Sequence, residues 1–269
     1  MNTRKTYPSD LSDEEWQHLR ILLPRKGGRG RTPKHGIRDR IDAMLYVVRT
    51  GCQWRSLPHD FPPWETVYGY FRKLGAGGDW ERINHVLRAG IREQAGREPD
   101  PSVVIVDSQS VKTNFEKPDV KKARKKRACG YDGGKHVKGR KRHLAVDVMG
   151  MLLGVLILPA NFSDDYGAKA LLQQIAFVSR WLLFIFDGGY DKPPLIDWCQ
   201  KLFGVTVLIS RRIAEHGFQV LPKRWIVERT FGWLNRSRRL SKDYEERSDV
   251  SENMIYIAMI HLMLRRLHH

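Results

Sequence analysis

The sequence predicts an α/β protein in which a mixed β-sheet is flanked by helices and preceded by a small helical region. Three observations support this prediction. Residues 103–106 form a continuous β-branched run, which is typical of a strand buried on both faces. Further apolar runs alternate with segments of helical periodicity from residue 142 onward, whereas the first hundred residues show helical spacing alone. With 269 residues, 41% of them hydrophobic, the chain can bury a large core and is not a disordered basic protein.

Four helices are predicted in the N-terminal region. A capping box formed by Ser12 and Glu15 begins the first of them. The apolar stripes of the four helices lie within residues 11–23, 37–48, 67–74 and 80–91. Their arginine-rich setting resembles a helix-turn-helix module that contacts DNA, although a purely structural helical cap would show the same pattern. We therefore predict an N-terminal helical DNA-binding region over residues 1–95.

The second region, residues 96–269, is predicted to hold the sheet and a C-terminal helix. After the strand at 103–106, a glycine turn at 149–151 indicates a hairpin. The remaining predicted elements, in order, are hairpin strands 142–148 and 152–158, helix 165–179, strand 181–186, helix 195–202, strand 205–209, helix 222–239 and helix 251–267. This order fits a ribonuclease-H-like core, a mixed sheet covered by helices.

The charge of the chain indicates a polyanionic partner, with nucleic acid the first candidate. Lysine and arginine number 47 against 30 acidic residues, a net charge of +17. No apolar run approaches the roughly 20 residues that span a bilayer, and the first residues lack an apolar signal segment, so we expect a cytoplasmic protein with no membrane partner. Three widely separated cysteines argue against a disulfide framework or a zinc ribbon. The absence of a phosphate-binding glycine-lysine motif argues against an ATP-driven motor.

Three acidic residues stand out because of their positions. Asp107 and Asp187 each directly follow a predicted buried strand. In open α/β sheets ligands collect beyond the carboxyl ends of the strands, so these two aspartates can meet in one crevice. Glu228 lies at the border of the apolar face of its predicted helix, where it looks toward the sheet. Each residue alone also has a structural explanation, as a turn former or a solvated helical side chain, and only their joint placement favours a site.

Three carboxylates brought together would repel one another unless a cation lies between them. Hard oxygen ligands suit Mg²⁺ or Mn²⁺, and two such ions about 4 Å apart can serve both the attacking and the leaving oxygen in phosphoryl transfer. We therefore predict a two-metal site held by Asp107, Asp187 and Glu228.

A dense run of basic residues between positions 117 and 142 lies between the first strand and the hairpin, beside Asp107. It could clamp phosphates, or it could be a solvated loop. A second cluster of arginines shares the predicted helix of Glu228, whose Trp225 and Trp233 we interpret as core anchors. Asp147 is interpreted as a turn residue. The residues predicted to contact DNA are Lys112, Lys138, Arg140, Lys141, Arg142, His143, Arg224, Arg229, Arg236 and Arg239.

Several blocks of the sequence together resemble one known family. They are LSDEEW at 11–16, GCQWRSLP at 51–58, VDSQSVK at 106–112, GYD at 130–132, KGRKRH at 138–143, DGGY at 187–190, RWIVERTF at 224–231 and RRLSKDYE at 238–245. These blocks cover nearly the whole chain and resemble the DDE transposases of bacterial insertion sequences, and within them insertion-sequence family five. A related family carries a tyrosine and a lysine where this chain has Leu221 and Asn235, which leaves open whether excision passes through a hairpin.

The resemblance implies a ribonuclease-H-like fold with Asp107, Asp187 and Glu228 as metal ligands. It implies hydrolysis of the phosphodiester at each end of the element, followed by attack of the freed 3′-hydroxyl on target DNA. The implied partners are double-stranded DNA of the terminal inverted repeats and of the target. Joining of two ends implies a homodimer or a larger assembly. Two other functions share the same features: a non-catalytic DNA-binding repressor and a structure-selective nuclease.

Overall fold

The computed structural model describes residues 4–24, 34–114, 129–176, 180–210 and 224–267. The helices are α1 (Asp13–Leu22), α2 (Ile37–Thr50), α3 (Trp64–Ala76), α4 (Asp79–Gln94), α5 (Asp164–Gln174), α6 (Pro193–Phe203), α7 (Arg224–Asn235) and α8 (Ser248–Arg266). The strands are β1 (Val103–Lys112), β2 (Gly130–Asp132), β3 (Val137–Val146), β4 (Leu152–Pro159), β5 (Leu183–Asp187) and β6 (Thr206–Ser210). Within the described residues no helix is long and apolar enough to cross a membrane.

The sheet has the order β4, β3, β1, β5, β6, and β2 pairs with the first residues of β3. β4, β3 and β1 run antiparallel to one another, whereas β1, β5 and β6 run parallel. The prediction of a ribonuclease-H-like mixed sheet flanked by helices is confirmed. One face of the sheet packs against α7, α8 and the N-terminal helices, and the other face packs against α5 and α6.

The N-terminal helices form where their local signals predict. The Ser12 hydroxyl accepts the Glu15 amide, and the Glu15 carboxylate accepts the Ser12 amide, so the capping box is present. Gly51 ends α2 in the left-handed conformation, at φ 76°. These helices share one continuous core with α7, α8 and a face of the sheet. The division at residue 95 and a DNA-binding role for the helices therefore stay predictions.

A buried ion pair ties α4 to the β3–β4 hairpin. Arg92 donates to Asp147 Oδ2 at 2.7 Å, and Asp147 Oδ1 accepts the amides of Met149 and Met151. The interpretation of Asp147 as a turn residue is confirmed. Gly150 completes the turn with φ 81°, and an added Cβ would lie 2.9 Å from the Thr230 hydroxyl of α7. Because the turn has no room for a side chain there, α7 can dock closely on the hairpin.

Several predicted elements differ in extent from the structure, among them the strand of Asp107 and the helix of Glu228. β1 continues to Lys112, so Asp107 lies inside the strand instead of following it. The reason is that β3 pairs with β1 from Ile105 as far as Lys112, beyond the last residues paired with β5. α7 ends at Asn235 instead of residue 239, because the amides of Arg236 and Ser237 bond to carbonyls three residues back. The predicted start of this helix at residue 222 lies outside the described residues.

Glu252 on α8 caps the exposed edge of the sheet, and this contact should depend on pH. Its Oε1 accepts the Ile157 amide of β4 at 2.8 Å. Burial raises the pKa of Glu252 from 4.5 to about 7, so the fold favours the neutral acid. The resulting stability is fully present below pH 4.5 and is lost as the pH rises through 7.

We expect Glu252→Gln, which keeps the acceptor oxygen and cannot ionise, to be more stable than the wild type at pH 8 by on the order of 1–3 kcal/mol. The difference should vanish toward pH 4.5. Urea unfolding at both pH values measures it, and Glu93→Gln at an exposed position of α4 is the control. An equal effect of Glu252→Gln at both pH values would contradict the titration.

Candidate catalytic site

Asp107 and Asp187 each lie two residues beyond the last paired residues of two neighbouring parallel strands. The register between β1 and β5 pairs Val103 with Leu183 and Ile105 with Ile185. Asp107 and Asp187 are each two residues further along their strands than the pair Ile105 and Ile185. Paired strands lie about 5 Å apart, and every second side chain points to the same face. The two carboxylates therefore share the face on which Ile105 and Ile185 are buried.

Backbone amides hold one oxygen of each aspartate. The Ser108 amide donates to Asp107 Oδ1 at 2.7 Å, and the Gly189 amide donates to Asp187 Oδ1 at 2.6 Å. Asp187 also caps a short 3₁₀ turn at Gly188–Tyr190, which turns the chain away from the end of β5. Both carboxylates are half-buried, so they are oriented by the backbone and still accessible from one side.

α7 brings Glu228 over the same face of the sheet. Ile226, Val227 and Phe231 are buried in the core that includes Ile105 and Ile185, while Glu228 itself is exposed. The Thr230 hydroxyl donates to the Gly150 carbonyl at 3.0 Å, which anchors the helix to the hairpin turn. The expectation that Glu228 lies at the border of the apolar face and on the aspartate side of the sheet agrees with this packing.

The three acidic residues lie on elements that contact one another, since α7 packs against β1 and β5, but their side chains do not form a closed cluster. Within the described parts of the chain, no three carboxylate, imidazole or thiolate groups are gathered tightly enough to hold a metal ion. Each of the three also makes a further polar or electrostatic contact.

Two neighbours of the aspartates were not predicted from the sequence. Ser210 is paired with Asp187 across β5 and β6, and its buried hydroxyl has no hydrogen-bond partner. Tyr190 is fully buried, and burial together with the charges of Asp107 and Asp164 raises its pKa well above the usual value. Ser210 follows an apolar run, as the two aspartates do, so the same positional rule could have found it. No sequence signal identifies Tyr190.

The donor set fits a hard divalent cation. It offers carboxylate oxygens at two aligned strand positions and on the helix above them, and the unpartnered Ser210 hydroxyl lies beside Asp187. Mg²⁺ and Mn²⁺ prefer oxygen donors of this kind. The site formed by Asp107, Asp187, Glu228 and Ser210 contains no histidine or cysteine, the nitrogen and sulfur ligands that other metals prefer.

Five of the residues predicted to contact DNA instead serve the fold. Arg140 and Arg142 on β3 are 1% exposed and bind protein acceptors, among them Asp243 and the Leu240 carbonyl. The others are Lys141, which contacts Asp132 and Asp164, Arg239, which contacts Glu245, and His143, which is fully buried. The structure corrects the sequence interpretation here, because burial leaves these groups no surface for a phosphate.

Of the other residues predicted to contact DNA, three are exposed and one makes contacts within the protein. Lys112, Lys138 and Arg236 are exposed. Arg229 donates to the Met149 carbonyl at 3.0 Å, and its guanidinium lies 4.5 Å from the ring centre of Trp225 and 4.6 Å from that of Trp233. Trp225 is 46% exposed, so it is not the core anchor that the sequence predicted. The side chain of Arg224 and the basic residues between 115 and 128 lie outside what the structure describes.

Two family models match the chain. Residues 98–263 match a family described as "Transposase DDE domain". Residues 11–99 match a family described as "Putative transposase of IS4/5 family". The first match contains the whole sheet together with Asp107, Asp187 and Glu228, and the second contains α1 to α4.

Curated relatives come from insertion sequences. The chain is 31% identical over 120 residues to "Putative transposase for insertion sequence element IS402" of Burkholderia cepacia, a match that covers 42% of the chain and 56% of the relative. It is 32% identical over 109 residues to "Insertion element IS402 uncharacterized 16.2 kDa protein" of the same organism, covering 38% of the chain and 72% of that protein. The chain thus spans little more than half the length of the first relative. Among solved structures, the Mos1 strand transfer complex aligns with 91% of the chain and 79% of its own at 13% identity and a TM-score of 0.30.

Proposed function

Because the chain belongs to the transposase DDE domain family, we propose that it cleaves the ends of an insertion sequence and joins the freed 3′-hydroxyl ends to target DNA. The observation that carries this proposal is the position of Asp107 and Asp187, each two residues beyond the paired Ile105 and Ile185 of neighbouring parallel strands that the helix bearing Glu228 packs against. Acidic side chains at such positions are placed to act on one phosphodiester group.

Membership of the family implies the use of a divalent metal. We propose two ions, Mg²⁺ or Mn²⁺, with Asp107, Asp187 and Glu228 as their ligands. When bound, such ions neutralise charge on the phosphodiester and favour in-line displacement at phosphorus.

The chain's own residues hold and orient the reacting groups. The Ser108 and Gly189 amides fix the planes of the two aspartates, and the anchored helix α7 carries Glu228 toward them. In cleavage, water forms a new bond to phosphorus while the bond to the 3′-oxygen breaks, which leaves a 3′-hydroxyl. In joining, the oxygen of that 3′-hydroxyl forms a bond to a phosphorus of the target strand, and the bond between that phosphorus and an oxygen of the target strand breaks. No covalent bond to the protein is needed.

The DNA itself is attracted by the +17 net charge. Lys112, Lys138 and Arg236 are exposed cations of the described surface and are proposed to contact DNA phosphates. Two chains, each holding one end of the element, would suffice to join both ends to a target.

The test uses an end-labelled duplex that carries one end of the element, incubated with the chain and Mg²⁺, Mn²⁺ or EDTA. We expect a product with a 3′-hydroxyl in either metal and none in EDTA, and a joined product when plasmid is added. Binding that needs no metal and leads to no cleavage would indicate a repressor instead. Cleavage with no joined product would indicate a structure-selective nuclease.

A further inference from the structure

A surface pocket of about 420 Å³, lined by both polar and apolar side chains, lies beside the candidate site. It opens at the ends of β1 and α7 and is lined in part by Gln109, Lys112, Asn235, Ser241 and Lys242. Its volume is in the range of small-molecule sites, about 300–1,000 Å³. None of the described residues that line it is acidic, so the pocket favours an anionic or polar occupant.

The pocket continues the line of the catalytic carboxylates. Gln109 lies two residues beyond Asp107 and on the same face of β1, a step of about 7 Å. Asn235 lies seven residues beyond Glu228 and therefore on the same side of α7, a step of about 10 Å. A strand of duplex DNA advances about 3.4 Å per nucleotide along the helix axis. A strand held at the carboxylates would thus bring a nucleotide two or three positions away into this pocket.

Two lysines supply the charge that a phosphate needs. Lys112 ends β1, and the segment that follows α7 returns beside it, since the Asp243 amide donates to the Lys112 carbonyl at 2.9 Å. The parallel bridge between Thr113 and Asp243 sets Lys112 level with Lys242. Both lysines are exposed, and within the described residues no ion pair joins either of them to a carboxylate.

Gln109 adds an unsatisfied acceptor to the wall of the pocket. Its Oε1 is buried and has no hydrogen-bond partner. A buried polar atom without a partner is costly, and a bound ligand that donates to it removes the cost. Glutamine and asparagine side chains are also those that pair with adenine through its N6 and N7 atoms.

We propose that this pocket is a nucleotide subsite for the DNA end, in which Lys112 and Lys242 hold a phosphate and the Gln109 amide contacts a base two or three positions from the scissile phosphate. The proposal rests on the proposed function, because the carboxylates define where the cleaved bond lies. It makes Gln109 a specificity-determining residue and Lys112 and Lys242 binding residues.

The test scans end duplexes that carry one neutral methylphosphonate or one abasic position at each of the first six positions from the scissile phosphate. Affinity in EDTA is measured by fluorescence anisotropy, and cleavage is measured in Mg²⁺. For the wild type we expect the neutral linkage to weaken binding most at the second or third position. In the double variant Lys112→Ala/Lys242→Ala that position-specific loss should disappear, and the slope of log affinity against log salt should fall by about 1 to 2.

Gln109→Ala should reduce the preference for the natural base at one of these two positions by about 5- to 100-fold while leaving the other positions unchanged. Lys201→Ala, an exposed lysine of α6 on the opposite side of the sheet, is the matched control and should respond as the wild type does. If the wild type cleaves but the variants keep its full position profile, the subsite is overturned and the transposase function stands. If the wild type does not cleave at all, the proposed function itself is overturned.

Discussion

Asp107→Asn, Asp187→Asn and Glu228→Gln are each expected to lower DNA cleavage by roughly a thousandfold or more, which corresponds to about 4 kcal/mol of transition-state stabilisation. The amides keep the size of the side chains but lose the negative charge that is proposed to bind a divalent cation. The three positions are half-buried or exposed, so the free energy of unfolding should change little. Single-turnover cleavage of an end-labelled duplex measures the effect, and joining to plasmid DNA should fall in parallel.

Asp197→Asn, at an exposed acid of α6, is the matched control and should cleave as the wild type does. DNA binding in EDTA should also survive in all three site variants, because the basic surface is unchanged. A second readout is Mn²⁺ binding followed by calorimetry, which each of the three substitutions should weaken. Wild-type cleavage rates in all three variants would show that these carboxylates are not the site.

Arg140→Ala is expected to lower the free energy of unfolding by about 3–5 kcal/mol, because it leaves a buried carboxylate without its partner. The Arg140 guanidinium donates to Asp243 Oδ2 at 3.1 Å, to the Glu245 carbonyl at 2.8 Å and to the Glu246 carbonyl at 2.7 Å. Its side chain is 1% exposed, so water cannot replace these contacts. Urea unfolding of the full chain gives the loss directly.

Lys138→Ala, two residues earlier on β3 and exposed, separates the two roles of basic residues on this strand. We expect it to change the free energy of unfolding by less than about 0.5 kcal/mol and to weaken DNA binding more at low salt than at high salt. The opposite pattern, with Arg140→Ala stable and defective only in DNA affinity, would restore Arg140 as a DNA contact.

The three candidate site residues, Asp107, Asp187 and Glu228, could be predicted from the sequence because the patterns that mark them are local. A β-branched run followed by an aspartate occurs at Asp107 and again at Asp187, and the apolar spacing around Glu228 places it at the edge of a helix face. Ser210, the last residue of β6, follows an apolar run in the same way. What the sequence did not predict is that Asp107 lies within a longer strand, since that depends on pairing with β3, a partner about 35 residues away.

The sequence shows where the basic residues are, but it does not show which of their side chains are exposed. Lys138 and Arg140 are two positions apart in one basic run, yet one is exposed and the other is enclosed by acceptors from the segment that precedes α8. The arginines that were predicted to share one helix also differ in exposure. Arg239 turns inward to Glu245 at 2.6 Å after the helix has ended, while Arg236 stays exposed.

The sequence by itself predicted the helix caps, the strand runs, the glycine turn of the hairpin and the family blocks. Each of these features depends on residues within a few positions of one another. The tertiary structure decided which cations remain exposed, that the strands of Asp107 and Asp187 are neighbours in the sheet, and that a pocket with an unpartnered Gln109 oxygen lies beyond them. Those features arise from contacts between distant parts of the chain. Arg140 and Asp243 are 103 residues apart, and no local pattern encodes a contact over that separation.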